Sequence, residues 1–141
     1  MAIDEIYTQV ITEHSRDKRN RRHIDHATRT QKGVNPSCGD EIELELREEN
    51  GVITDAAFTG SGCAISQASA SMMADLIRGK TLDEAESICA TFLGMIKGDV
   101  TDAEQLEVLD EALALQGVSH MPARVKCATL SWHTLKTALG E

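Results

Sequence analysis

The chain is poor in aromatic residues, in positive charge and in long apolar runs, and each shortage excludes something. One Trp, one Tyr and two Phe (Trp132, Tyr7, Phe58 and Phe92) leave the core to aliphatic side chains. Fourteen Lys and Arg stand against 23 Asp and Glu, a formal net charge of -9. Such an acidic balance argues against general nucleic-acid binding, which needs basic surface. No stretch approaches the roughly 20 apolar residues of a membrane span. The N-terminus lacks the charged-then-apolar order of a signal peptide, so the expected location is cytoplasmic. There the four cysteines are expected as reduced thiols and not as a disulfide frame. No CxxC occurs, and His14, His23, His26, His120 and His133 show no i,i+4 pair. Each histidine is expected as a surface or half-buried residue and not as a ligand. Any metal site must therefore be assembled by the fold. There is no internal repeat, linker or low-complexity segment, and residues 1–141 are expected to form one domain.

The pattern that is present reads as α+β, with strands early and helices afterwards. Asp4 is placed to cap a first helix, in which Ile6, Val10, Ile11 and His14 recur at helical spacing. A basic run follows, Arg16, Lys18, Arg19, Arg21 and Arg22. It is a solvated stretch or a dock for an acidic partner surface. Ile42, Leu44 and Leu46 alternate with Glu41, Glu43 and Glu45, which predicts a strand with one buried face. Asn50-Gly51 predicts a hairpin turn, and Val52 to Phe58 the returning strand. The expected sheet is small and antiparallel, of about three strands, packed against several helices. Ile65, Ala68, Met72 and Leu76 form a stripe ended by Gly79. Thr81 with Glu84, and Thr101 with Glu104, match capping boxes that open further helices, the second running to about Gln116. Pro122 fits the start of a last helix carrying Ala128, Trp132, Leu135 and Leu139.

Cys38-Gly39-Asp40 sets a thiol and a carboxylate on either side of a residue without a Cβ. A sharp turn there aims both side chains at one point. Cys63 follows the Gly60-Ser61-Gly62 break at a strand-to-helix junction, and Cys127 falls in the first turn or so of the last helix. Backbone N–H groups and the helix dipole near helix starts stabilise thiolates. Soft thiolates beside a hard carboxylate point to a metal site less closed than a structural zinc knot. Taken singly, Cys63 and Cys127 also fit inert buried thiols, and Asp40 a loop cap. Cys89 lies on the apolar face of a capped helix and reads as a core thiol.

Asn35-Pro36-Ser37-Cys38-Gly39-Asp40, Gly60-Ser61-Gly62-Cys63-Ala64-Ile65-Ser66 and Arg124-Val125-Lys126-Cys127 occur in that order and span most of the chain. Together they resemble the iron–sulfur assembly proteins of the IscU-like superfamily, and within it the SufU branch. In the IscU branch a histidine directly precedes the last cysteine, and a proline-rich chaperone-binding segment lies just upstream. Here Lys126 stands in that place and the upstream stretch is Met121-Pro122-Ala123-Arg124. Recognition by the IscU-type chaperone is therefore not expected. The helix from Thr101 to Gln116 matches an insertion typical of SufU-like proteins.

The resemblance implies Zn²⁺ held by Cys38, Asp40, Cys63 and Cys127. It implies a sulfurtransferase, or equally a protein substrate of the desulfurase: Cys38 accepts persulfide sulfur from the cysteine desulfurase SufS and passes it towards SufBCD. Three thiolates and a carboxylate around Zn²⁺ leave two net negative charges, so a nearby cation is expected, Arg124 ahead of Lys126 because its planar fork holds a partner directionally. A metal-bound thiolate is a muted nucleophile, so Cys38 is expected to leave the ion when it takes up sulfur. The alternative is a scaffold holding a transient iron–sulfur cluster on the same cysteines. A non-catalytic module with structural zinc is disfavoured by the Asp ligand.

Overall fold

The alternating run around Leu44 forms the middle strand of a three-stranded antiparallel sheet, ordered β1 (Arg29–Asn35), β2 (Asp40–Glu49), β3 (Val52–Ser61). The computed structural model describes residues 3–36 and 39–140, with side chains described from residue 9 onward. Asn50 and Gly51 both take positive φ, 55° and 81°, as a two-residue hairpin turn of the right twist demands. Leu44 faces Gln31 on one side and Phe58 on the other. Leu44, Leu46 and Ile53 are fully buried against the helices. Glu41, Glu43 and Glu45 share the opposite face.

The described residues form five α-helices, α1 (Ile3–Arg16), α2 (Ala64–Ile77), α3 (Leu82–Lys97), the short α4 (Ala103–Leu106) and α5 (Pro122–Ala138), of which α2 and α5 lie on the inner face and the others pack outside them. The sequence of α2 is rich in small residues and methionine, and nearly its whole circumference is buried, including Ser69, Ser71, Met72 and Met73. It is the central helix of the fold, and its buried hydroxyls must find partners. Ser69 donates to the Ala128 carbonyl (2.5 Å) and accepts from Trp132 Nε1 (2.9 Å), joining α2 to α5. Trp132 stacks on Phe92 of α3 at 4.2 Å between centroids. A Cβ on Gly33 would lie 2.0 Å from Thr134 Oγ1, so β1 and α5 meet at backbone distance.

Several expectations are borne out in detail. Thr81 and Glu84 exchange both bonds of the capping box, at 3.1 and 2.9 Å. Pro122 is the first residue of α5. Others need correction. Asp4 lies inside α1, whose first described residue is Ile3. Thr101 does not cap. Asp102 is the N-cap, its carboxylate accepting from Glu104 N at 3.0 Å, because a carboxylate two residues ahead reaches that N–H directly. The helix it opens stops after four residues, and Glu107–His120 continues as 3₁₀ helix with a break at Asp110 (φ 47°, ψ -123°). His14 is neither at the surface nor half-buried, but buried. It is 6 % exposed, its Nδ1 3.0 Å from Ser71 Oγ.

The basic run also has structural work. Arg19 pairs with Asp17 and Asp75, and Arg22 makes a two-point contact with Asp55 at 2.9 and 3.0 Å. These pairs help fix the segment that leaves α1 and crosses the sheet. Phe58 N donates to the Asn20 carbonyl (2.8 Å), and Ile24 is buried.

Candidate metal centre

Asp40 opens β2 directly opposite Asn35, the last residue of β1. The turn between them closes with Gly39 N–H donating to the Asn35 carbonyl at 2.9 Å, and Gly39 takes a φ of 77°, which favours glycine. The Asp40 side chain is thereby turned inward and is 4 % exposed. Its Oδ1 accepts the Cys63 N–H at 3.2 Å. Its Oδ2 is buried and has no hydrogen-bond partner among the described residues. Gly62 makes this approach possible, since a Cβ there would sit 2.9 Å from Asp40 Oδ1 and 2.2 Å from Ser66 Oγ.

Cys63 is the N-cap of α2, in extended backbone geometry (φ -74°, ψ 172°). Burial pushes its thiol pKa up, but the N–H groups of Ser66 and Ile65 and the thiol of Cys127 outweigh that and hold it below the usual thiol value. The neighbouring Asp40 carboxylate works in the opposite sense. Cys127 sits in the second turn of α5, slightly deeper than expected, and is 2 % exposed. One ligand atom from each of Asp40, Cys63 and Cys127 lies within 4.8 Å of the other two. Three elements from distant parts of the chain thus converge on one point.

Cys38, the fourth expected ligand, lies outside the described residues, as does Ser37. Arg124 and Lys126 lie in the first two turns of α5, exposed, and their side chains make no hydrogen bond or ion pair with any described residue. Cys89 behaves as a core thiol: it is 3 % exposed and donates to the Trp132 carbonyl at 3.2 Å. The donor set fits a metal ion. Two thiols and a carboxylate could supply three of the four positions of a tetrahedral site, and Asp40 Oδ2, buried without a partner among the described residues, suits a cation as its partner. Sequence reasoning missed a second group of donors, His23, Glu43 and Glu45, because His23 stands 20 residues before Glu43.

Residues 6–128 match the NifU-like N-terminal domain. The chain belongs to this family. The NifU-like match is supported by relatives that align over nearly all of both chains. A zinc-dependent sulfurtransferase SufU of Bacillus subtilis is 40 % identical over 139 residues, 99 % of this chain and 92 % of that protein. An iron–sulfur cluster assembly scaffold protein IscU of Thermotoga maritima is 40 % identical over 141 residues, 100 % of this chain and 97 % of that protein. Among solved structures, a Fervidobacterium islandicum protein described as a cluster assembly scaffold for the SUF system superposes with a TM-score of 0.89 at 37 % identity, covering 98 % of this chain and 99 % of that one. The N-terminal part of a NifU-like protein from Brucella abortus shares the fold, with a TM-score of 0.84 at 24 % identity over 97 % of this chain and 94 % of that one. The α+β architecture expected from the sequence is therefore that of the NifU-like fold.

Proposed function

We propose that this protein is a zinc-dependent sulfur-relay protein of iron–sulfur cluster assembly. Cys38, Asp40, Cys63 and Cys127 hold Zn²⁺, and Cys38 accepts sulfur from a cysteine desulfurase of the SufS type for delivery to a SufBCD-type complex. The observation that carries the reading is the buried Oδ2 of Asp40, unpartnered among the described residues, beside two converging thiols. Zinc, when bound, keeps its thiolate ligands deprotonated at neutral pH and, being redox-inert, does not reduce a persulfide.

The transfer itself is thiol exchange. The Cys38 thiolate attacks the outer sulfur of the donor persulfide. A new S–S bond forms on Cys38, the donor S–S bond breaks, and the donor cysteine leaves as a thiolate. Asp40, at the start of β2, and Cys63, the N-cap of α2, are joined by the Cys63 N–H bond to Asp40 Oδ1 and serve as the stationary part of the site. Gly39 gives the turn before Asp40 the freedom that an acceptor arm needs. Arg124, close in sequence to Cys127 and unengaged among the described residues, is the cation proposed to face the excess negative charge. Val34 and Met121 are exposed apolar residues, at the end of β1 and just before α5, and they suit contact with a protein partner.

Desulfurase turnover with and without this protein, with bound metal quantified, tests the reading. Stoichiometric zinc and accelerated turnover are expected. Equal acceleration by folded, zinc-free protein would overturn it. The relatives named IscU favour a second reading, a scaffold for a transient cluster on the same cysteines. Lys126, standing where that branch has a histidine ligand, weighs against it. Purified protein with iron, sulfide and thiolate-to-iron absorption bands in place of zinc would establish the scaffold instead.

A further inference from the structure

A second donor cluster lies on the other face of the sheet. Glu43 and Glu45 project from the outer side of β2, and His23 reaches them from the segment that crosses that face. Ligand atoms of the three lie within 4.8 Å of one another. Donors bound to one ion at about 2.1 Å sit roughly 3–4 Å apart, so the three side chains need to close by only about an ångström.

We propose that His23, Glu43 and Glu45 form a solvent-open site for a divalent first-row cation of the iron(II) or manganese(II) type, separate from the thiolate centre and independent of the sulfur-relay reading. One imidazole and two carboxylates form a hard-to-borderline donor set, unlike the sulfur-rich one at Cys63 and Cys127. The positions are fixed before any ion arrives. Glu45 is 7 % exposed and accepts from the Ile24 N–H (3.3 Å), while His23 Nδ1 lies 2.7 Å from its Oε2. The crossing segment that carries His23 is pinned on both sides, by Arg22 on Asp55 and by Arg47 donating to the Asp25 carbonyl. Of the two carboxylates, Glu43 is only weakly neutralised. Lys32 approaches Glu43 only to 3.8 Å, on a side chain 79 % exposed. His23 is itself 72 % exposed, which leaves water free to complete the ion's coordination and lets the ion exchange. Glu43 lies three residues along β2 from Asp40, about 10 Å away and on the opposite face, so the two centres share no ligand.

The test uses protein with its thiolate site filled by zinc, titrated with Mn²⁺ and followed by the electron paramagnetic resonance of free Mn²⁺. One Mn²⁺ per chain should bind with sub-millimolar affinity. His23→Ala and Glu43→Gln, both at solvent-accessible positions, should each weaken it by roughly tenfold or more with circular dichroism unchanged. Cys63→Ser should lose zinc and keep Mn²⁺. Wild-type binding weaker than millimolar, or binding that the His23 and Glu43 variants leave unaltered, would show that His23 and Glu45 form an ion pair only and would overturn the proposal.

Discussion

The two ends of α2 treat polar groups in opposite ways. Just beyond its C-terminal end, Arg78 donates to the Ala56 carbonyl (2.7 Å), to Asp55 and Asp75 (3.3 Å each) and to Asn20 Oδ1. Asn20 in turn donates to the Ser71 carbonyl (3.1 Å) and to Asp75 (2.9 Å), while Arg22 and Arg19 reach the same two acids. Cations and carboxylates alternate, and both Arg78-facing acids have several partners. At the N-terminal end, Asp40 Oδ2 is buried with no described partner, beside two thiols. A network that is complete without help stabilises a fold. One that is incomplete only until an ion enters is a binding site. The polar groups at one end of α2 are satisfied by the fold, and those at the other are poised for a ligand.

The sharpest way to break it is Asp40→Asn. The amide keeps an acceptor for the Cys63 N–H but loses the charge, so zinc affinity should fall by about a hundredfold or more and desulfurase stimulation should go with it, as read by metal analysis and turnover. Retained stoichiometric zinc would show that Asp40 is not a ligand. Arg78→Met should do the reverse: about 2–3 kcal/mol of stability lost in urea unfolding, because the Ala56 carbonyl and Asp55 lose donors, with zinc content unchanged.

The acid limb offers a finer test. The hydrogen bond from Arg22 overcomes partial burial and holds the Asp55 pKa down, from 3.8 to about 2. A carboxyl depressed in the folded state contributes stability above its unfolded pKa and loses it as pH falls through the folded value. Asp55 should therefore contribute fully above about pH 5 and lose that contribution progressively as pH falls through about 2, a difference of about 1–2 kcal/mol after allowing for the exposure of Arg22. In metal-free protein, Asp55→Asn should flatten that part of the stability profile. The smallest effect is expected from Cys89→Ser, at about 1 kcal/mol, because serine can still donate to the Trp132 carbonyl. Sulfur transfer should be kept. A transfer defect there like that of Cys38→Ser would erase the distinction between core and site cysteines.

Much of this was legible along the chain, and the exceptions share causes. β2 and β3 announce themselves by alternation and by Asn50-Gly51, and α3 by its capping box. β1 does not, because Arg29–Asn35 has Val34 as its sole large aliphatic side chain, and that residue points outward, 61 % exposed. The strand is held by pairing with β2 and by α5 lying on Gly33, which are tertiary facts. Residues 107–120 have helical composition, yet the backbone breaks at Asp110, between the buried Leu109 and Ala112. At the candidate metal centre, residue types at element ends pointed to Asp40, Cys63 and Cys127 alike, but only the fold shows the three side by side. The outer cluster was hidden because nothing local shows that residues 20–26 cross the sheet. His14 was misjudged for the same reason, its partners lying on α2 and the 3₁₀ segment.

Ser69 acts as a gauge. Its one hydroxyl receives from Trp132 and gives to Ala128, the residue next to Cys127, and it sits six residues along α2 from Cys63. It therefore meters the gap between two cysteines on different helices without touching either. A substitution at this position would leave every candidate ligand in the sequence and detune the jaw they form, so the calibration of the centre is stored in the core, two helical turns from where it is read.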